Sequence, residues 1–318
     1  MRQKSTIKGV GDDAAVLKYG EEVVIVTTDL LLEGIHFDLM YTPLKHLGYK
    51  SVVVNVSDVY AMNAIPRQIT VSIGVSNRFS VEGLEELYAG IKAACDFYQV
   101  DLVGGDTSSS HQGLVITVTA IGSAPPQQIT YRSGAKQGDT ICVTGDLGAA
   151  YLGLQLLERE KQLYLSQPDM QPDLEKQKYI VGRQLKPEAR KDIVEKLAKA
   201  KVIPTSMIDI SDGLSSDLLH ICKQSTVGAF IEEENVPIHE EAQLMALKFK
   251  LDPITCALSG GEDYELLFTV SPNDLPAVRL LPDISLVGEI VDKEDGVKLH
   301  TKGGNIHDLK AQGWKHFE

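Results

Sequence analysis

Aspartates recur in this chain beside Gly, Ser or Thr at the ends of strand-like runs. The set is Gly11-Asp12-Asp13, Thr27-Thr28-Asp29, Ser57-Asp58, Gly104-Gly105-Asp106-Thr107, Asp209-Ile210-Ser211-Asp212-Gly213 and Gly260-Gly261-Glu262-Asp263. Any one of these is explained by turn and cap chemistry, because short polar side chains bond their own backbone. Six in one chain, several behind runs that read as buried strands, exceed what turns require. A strand end aims its last side chain at a cleft, where ligands bind. Carboxylates gathered there repel one another and stay ionised only against a counter-charge. Hard divalent cations supply that charge, and Mg²⁺ is typically shared between one or two carboxylates and substrate phosphates. The pattern reads as a site for several cations and a phosphorylated ligand.

Asp58 differs because its surroundings are helical. Ser51, Asn55, Asp58 and Met62 are spaced at three and four residues and share one helix face. The plainer reading, that this stripe faces water, fits poorly with flanks as apolar as those of SVVVNVSDVYAM. Common alternatives fail on context. There is no GxxxxGK[ST] phosphate loop and no GxSxG nucleophile elbow. Gly9-Val10-Gly11-Asp12-Asp13-Ala14 imitates a dinucleotide fingerprint, but strands rather than a helix follow it. The histidines form no HxH or HExxH pair. His36 follows Asp29 closely enough to face the same cleft, although a lone His is more often structural.

The elements that must hold these groups alternate between strand and helix. AAVLKY and VVIVTTD read as strands. Thr42-Pro43 reads as N-cap and first turn of a helix toward Asn63. QITVSIGVS alternates with period two, and Ser80 caps a helix to about Tyr98, with Glu82 and Glu85 near its positive end. VDLVGG and LVITVTAIGS are further strands. The Pro-containing stretch 125–138 reads as a linker between a first domain, 1–124, and a second, 139–318. In the second, TICVTGD precedes the helix AAYLGLQLLERE, and 161–178 reads as an exposed excursion. Pro187 is expected to open a helix. MIDIS, a helix from about Ser215, GAFIEEENV, a helix near Glu240, YELLFTV and LVGEIV complete an α+β arrangement.

Composition limits the partners. The 318 residues are 43% hydrophobic and 24% charged, an ordinary globular balance. A formal charge of −13 disfavours naked nucleic acid and anionic membranes, while a Mg²⁺–nucleotide remains an acceptable ligand. Cys95, Cys142, Cys222 and Cys256 form no CxxC and read as buried thiols of a reducing, cytoplasmic compartment. No apolar run reaches the ~18 residues of a membrane span.

Together, GDDAAVL, TTDLLLEGIHF, NVSDVYAMNA, GGDTS, TYRSGAKQGD, IDISDGLSSDL and SGGEDYELLF, in this order from Gly11 to Phe268, resemble the thiamine-monophosphate kinases. The resemblance implies two α/β domains of the aminoimidazole ribonucleotide synthetase-like fold. The N-terminal domain is expected to bind Mg²⁺ and ATP and to pair in a homodimer, and the C-terminal domain to cover the cleft. It implies transfer of the ATP γ-phosphoryl group to thiamine monophosphate, giving thiamine diphosphate. By the same likeness Asp13, Thr27, Thr28, Asp29, Asp58, Asp106, Asp209 and Asp212 match metal ligands. Asp29, Asp58 and Asp212 are then catalytic through metal. Gly105, Asp106, Arg132 and Ser211 match nucleotide contacts, and His36, Glu262 and Trp314 match substrate contacts. Ten residues precede Gly11, where family members usually carry a helical segment.

Two other readings stay open. One is a different ATP-using enzyme of the same superfamily, activating an amide or selenide. The first cysteine, Cys95 within a helix, and the ending Trp-Lys-His-Phe-Glu argue against it. The other is a non-catalytic Mg²⁺–nucleotide-binding module. Mechanistically, an already anionic acceptor oxygen needs no strong general base, which fits the lack of a catalytic His or Lys pair. The obstacle is charge repulsion, which metal and Arg132 would relieve.

Overall fold

A computed structural model describes residues 1–169 and 174–311. A short strand not expected from the sequence, β1 (Thr6–Lys8), precedes the strand-like runs of the first half, which become β2 (Ala15–Lys18), β3 (Val23–Leu32), β4 (Ile65–Val75), β5 (Asp101–Ser109) and β6 (Val115–Ala124). They form one sheet in the order β1-β2-β3-β6-β4-β5, antiparallel except for the parallel β4–β5 pair. Along β3, Val23, Ile25, Thr27 and Leu31 are buried on the inner face, while Thr28 and Leu30 are exposed on the other. Asp29 shares the inner face by the same alternation.

Two helices cover that face. α1 (Leu44–Ala61) contacts β3 and β6, α2 (Val81–Tyr98) and elements of the second half. It is therefore buried around nearly its whole circumference, polar residues Ser51, Asn55 and Ser57 included. α1 and α2 cross at glycines. A Cβ at Gly48 would stand 2.0 Å from the Leu87 carbonyl oxygen, and one at Gly90 would stand 1.9 Å from that of Lys45. The expected start of α1 is corrected: Pro43 holds the N-cap position without a side-chain cap bond, and Thr42 lies outside. Ser80 does cap α2, accepting a bond from Gly83 N at 3.2 Å.

Residues 125–138 run as a strap rather than a free tether. A 3₁₀ turn at Pro126–Gln128 leads to buried Ile129, Thr130 and Ala135. Thr130 N donates to Met62 O at 3.2 Å, and Met207 N donates to Tyr131 O at 2.9 Å.

The second half contains β7 (Thr140–Thr144), α3 (Ala149–Ser166), α4 (Lys178–Leu185), α5 (Lys191–Ala200), β8 (Ser206–Ile210), α6 (Leu214–Ser225) and β9 (Gly228–Glu232). It continues through α7 (Glu240–Lys248), α8 (Pro253–Ser259), β10 (Glu265–Val270), α9 (Leu275–Val278), β11 (Ile284–Val291), β12 (Val297–His300) and β13 (Ile306–Asp308). The sheet order is β13-β12-β9-β11-β7-β10-β8. The described strands pair antiparallel except β9 with β12.

Three expectations change here. α3 continues to Ser166, six residues past Glu160, into the stretch read as an excursion. α4 was not anticipated. Pro187 opens no helix; α5 starts at Lys191. The segment between is held by tertiary bonds: Ala189 N donates to Tyr98 Oη at 2.8 Å, and Arg190 Nη1 to Glu265 Oε2 at 2.7 Å. The largest hydrophobic core joins the two halves, packing α1, α2 and the first sheet with Ile193, Leu197, Met207 and Phe268. Among the described residues no helix is long and apolar enough to cross a membrane.

Candidate active site

Three carboxylates from distant parts of the chain meet where the halves join. Asp13 precedes β2, Asp58 lies in the last turns of α1, and Asp209 ends near the tip of β8. Single carboxylate oxygens of all three lie within 4.8 Å of one another. Hydroxyls orient two of them. Thr27 Oγ1 donates to Asp58 Oδ2 at 2.6 Å, and Ser57 Oγ donates to Asp209 Oδ2 at 2.6 Å across the domain boundary. Asp29 stands beside them, its backbone N donating to Asn55 Oδ1 at 3.0 Å. The polar stripe on α1 thus has inward work: Asn55 pins a strand backbone, and Asp58 enters the cluster.

Burial disfavours charge in this group. It pushes Asp13 up to about 6, against the opposing pull of Arg132. It pushes Asp209 up to about 7, with the Asp13 carboxylate adding to the rise. Asp58 rises well above the usual carboxylate range through burial and then its neighbours Asp209, Asp29 and Asp13, and burial raises Asp29. The one cation touching the cluster is Arg132, among the described residues. Its Nε and Nη2 donate to Asp13 Oδ1 at 3.1 and 2.7 Å. Asp13 Oδ2 is buried and has no hydrogen-bond partner among the described residues.

The cluster opens into a cavity of about 1010 Å³. Asp29, His36, Asp58, Asp209, Ser211, Asp212 and Glu262 line it. His36 Nδ1 accepts a bond from Leu32 N at 3.1 Å, closing the turn after β3. Residues 260–264 lie along the segment after β8. Glu262 N donates to Ser211 O at 2.8 Å and Tyr264 N to Ile210 O at 2.9 Å. Glu262 and Tyr264 both take the left-handed conformation, φ 64° and 53°. A Cβ on Gly261 would stand 2.3 Å from Ser211 O, so this approach needs glycine.

Other expected residues fall elsewhere. Thr28 faces the outer side of the sheet, its hydroxyl donating to Val118 O at 3.0 Å and accepting from Thr119 Oγ1 at 3.1 Å. Gly105 and Asp106 lie on exposed β5, with Thr107 N donating to Asp106 Oδ1 at 2.8 Å. A Cβ at Gly105 would stand 1.8 Å from Val71 O, so the pairing with β4 already demands glycine there. Trp314 lies outside the described residues.

Asp217, Glu265, Lys50 and Gln184 were not singled out from the sequence, and Asp263 was noted only within the Gly260–Asp263 run. Buried Asp217, in the first turn of α6, accepts a bond from Asp212 N at 3.2 Å and shapes the loop that presents Asp212. Asp263 accepts from Gly148 N at 2.8 Å and Ala150 N at 3.3 Å at the start of α3. Buried Glu265 binds Arg183 at 3.0 Å and Arg190 at 2.7 Å. Lys50 and Gln184 hold Glu262. An acid in a first helical turn was the one available signal for Asp217.

Two α/β halves closing over a large cavity with carboxylates at its head define a class, and comparison with known proteins identifies it. The chain belongs to the AIR synthase related family: the model of its N-terminal domain matches residues 11–124 and that of its C-terminal domain matches residues 136–300. Among curated relatives, the thiamine-monophosphate kinase of Aquifex aeolicus (strain VF5) is 36% identical over 310 residues, covering 98% of this chain and 93% of its own. That of Bacillus subtilis (strain 168) is 33% identical over 317 residues, with the same coverage. A solved structure described as AaThiL complexed with AMPPCP and TMP superposes with a TM-score of 0.84 at 34% identity, over 99% of this chain and 93% of that one. The hydrogenase maturation protein HypE in complex with ATP shares the fold at 20% identity and a TM-score of 0.73, over 91% of this chain and 84% of its own.

Proposed function

We propose that this protein phosphorylates thiamine monophosphate to thiamine diphosphate, with ATP as phosphoryl donor. The observation that carries the reading is the Asp13–Asp58–Asp209 cluster at the head of a cavity that both domains line. Near-full-length identity to thiamine-monophosphate kinases supports the substrate, and the AMPPCP and TMP complex of a relative supports both ligands.

The chemistry of the cluster suits Mg²⁺. Oxygen donors converge, burial penalises their charge, and Asp13 Oδ2 lacks any protein partner among the described residues. Asp13, Asp58 and Asp209 would hold the metal, with Asp29, Asp212 and Thr27 as further candidate ligands, while Thr28 and Asp106 stand apart on the outer face and the edge strand of the first sheet. When bound, Mg²⁺ supplies neutralisation of the phosphates and of the charge that develops during transfer. The chain's own residues do the rest. Thr27 and Ser57 fix the Asp58 and Asp209 carboxylates, so their geometry is set before any ligand arrives. Arg132, now on Asp13, adds a fixed charge for the nucleotide, alongside Ser211. His36 and Glu262, on the cavity wall, would contact the acceptor, and the family likeness assigns Trp314 to it as well. The acceptor phosphate oxygen is ionised near neutral pH, so no side chain needs to remove a proton.

The division of labour follows the two domains, residues 1–124 carrying most cation ligands and residues 139–318 closing the cavity. We further assign a homodimer through the first sheet. Every residue of β5 is exposed, Leu102 and Val103 among them, and an open edge strand of this kind calls for a partner. The outward side chains of the sheet and Asp106 would then be covered.

The test is incubation with ATP, Mg²⁺ and thiamine monophosphate, with chromatography for thiamine diphosphate and an EDTA control. Product that disappears with EDTA is expected. Absence of product at saturating ligands would overturn the reading.

A further inference from the structure

Lys50 is a buried lysine in the second turn of α1, its side chain 4% exposed. A buried ammonium costs several kcal/mol unless it is paired and hydrogen-bonded. Both conditions are met by the cavity wall. Lys50 Nζ lies 3.0 Å from Glu262 Oε1 and donates to the Gln184 backbone oxygen at 3.1 Å. The other Glu262 oxygen, Oε2, accepts from Gln184 Nε2 at 2.7 Å. Both oxygens of one cavity-lining carboxylate are therefore held from behind. Its backbone is held too, by the bond to Ser211 O and the left-handed φ of 64°.

The arrangement has an electrostatic consequence. A lone carboxylate facing this cavity would repel incoming phosphates. Paired with Lys50 it carries no net charge, yet its accessible edge still accepts hydrogen bonds. The same helix presents Asp58 eight residues further on, about 12 Å along its axis. α1 is thus a ruler between the cation cluster and Glu262, and Lys50 fixes its second mark.

We propose that Lys50 is a positioning residue for the acceptor: by holding the Glu262 carboxylate it sets the affinity for thiamine monophosphate while leaving that for ATP unchanged. The proposal rests on the kinase reading above and on Glu262 facing the acceptor. It goes beyond that reading by naming a residue that touches no substrate.

The test compares wild type with Lys50→Met, Lys50→Arg, Glu262→Gln and the Lys50→Met/Glu262→Gln double variant. KM for each substrate, kcat and melting temperature are measured. Lys50→Met is expected to raise KM for thiamine monophosphate about tenfold and to leave KM for ATP within about twofold. Lys50→Arg should recover most of the loss. The double variant should be no worse than the worse single one, because both changes break one interaction. A purely structural lysine would instead lower stability and move both KM values together. That outcome, an unchanged KM for thiamine monophosphate, or additive losses would overturn the proposal while leaving the kinase reading intact. Should Lys50→Met not fold, Glu262→Gln decides: an unaltered KM for thiamine monophosphate overturns the proposal. Wild-type protein that forms no thiamine diphosphate overturns both.

Discussion

At Asp209, burial near the end of β8 pushes the carboxyl up to about 7, well above an unfolded aspartate. The folded state then binds more protons than the unfolded state between about pH 4 and pH 7, so raising the pH through that window removes stability. Asp13, pushed up to about 6, acts in the same direction. The metal-free protein is therefore expected to melt at lower temperature at pH 7.5 than at pH 5. Asp209→Asn should flatten that slope, stabilise the metal-free protein at pH 7.5 by on the order of 1 kcal/mol, and reduce turnover by about a hundredfold or more. Calorimetry across pH, with a parallel assay, checks all three. A variant that is less stable and still active would mean the cluster is structural. The residues of this cluster were legible because each stands in a local pattern: a Gly-Asp-Asp run at Asp13, a polar stripe in an apolar helix at Asp58, and a strand end followed by Ser211-Asp212-Gly213 at Asp209. Their partners were less so. Arg132 meets Asp13 across 119 positions and Ser57 meets Asp209 across 152, and no local pattern encodes such distances.

Among the elements, α1 bears most of the positioning. It supplies Lys50 to the cavity wall, Asn55 to β3, Ser57 to β8 and Asp58 to the cluster. Its placement depends on the close crossing with α2 at Gly48, where a Cβ would stand 2.0 Å from a backbone oxygen that cannot move alone. Gly48→Ala should therefore force the helices apart, costing about 3 kcal/mol, and should lower activity along with stability. Thermal unfolding and kcat measured on the same preparation test this, and a neutral effect on both would show that α1 tolerates displacement. Periodicity disclosed the strands and the two long helices of the first half. It failed at Pro187 because a proline suits a helix start only if the chain after it is free to coil. Here Arg190 is committed to Glu265, and the helix waits until Lys191. The extension of α3 past Glu160 was hidden because it runs directly into the polar, proline-containing stretch around Pro168, and an exposed helix turn and a loop look alike in sequence.

For the molecule as a whole, the surface feature of most consequence is the exposed edge strand β5. Its sequence reads as a strand, but alternation says nothing about which edge lies open, and only the strand order puts β5 last. A partner strand or sheet face would remove Leu102 and Val103 from water. Val103→Arg should then convert a dimer into monomers with the fold retained, as sedimentation would register; a monomeric wild type would remove the basis for the pairing. Two domains were legible from the change of pattern around residues 125–138. That the largest core would run through both was not, because apolar residues reveal that they are buried but not against what.

The three central carboxylates stand at positions 13, 58 and 209. A ribosome making this chain produces two of them early and must add about 150 further residues before the third exists, so on the proposed mechanism a nascent chain short of position 209 is inactive. Fragments divided within 125–138 should each be inert, and regained turnover on mixing them would be a readout of their reassociation.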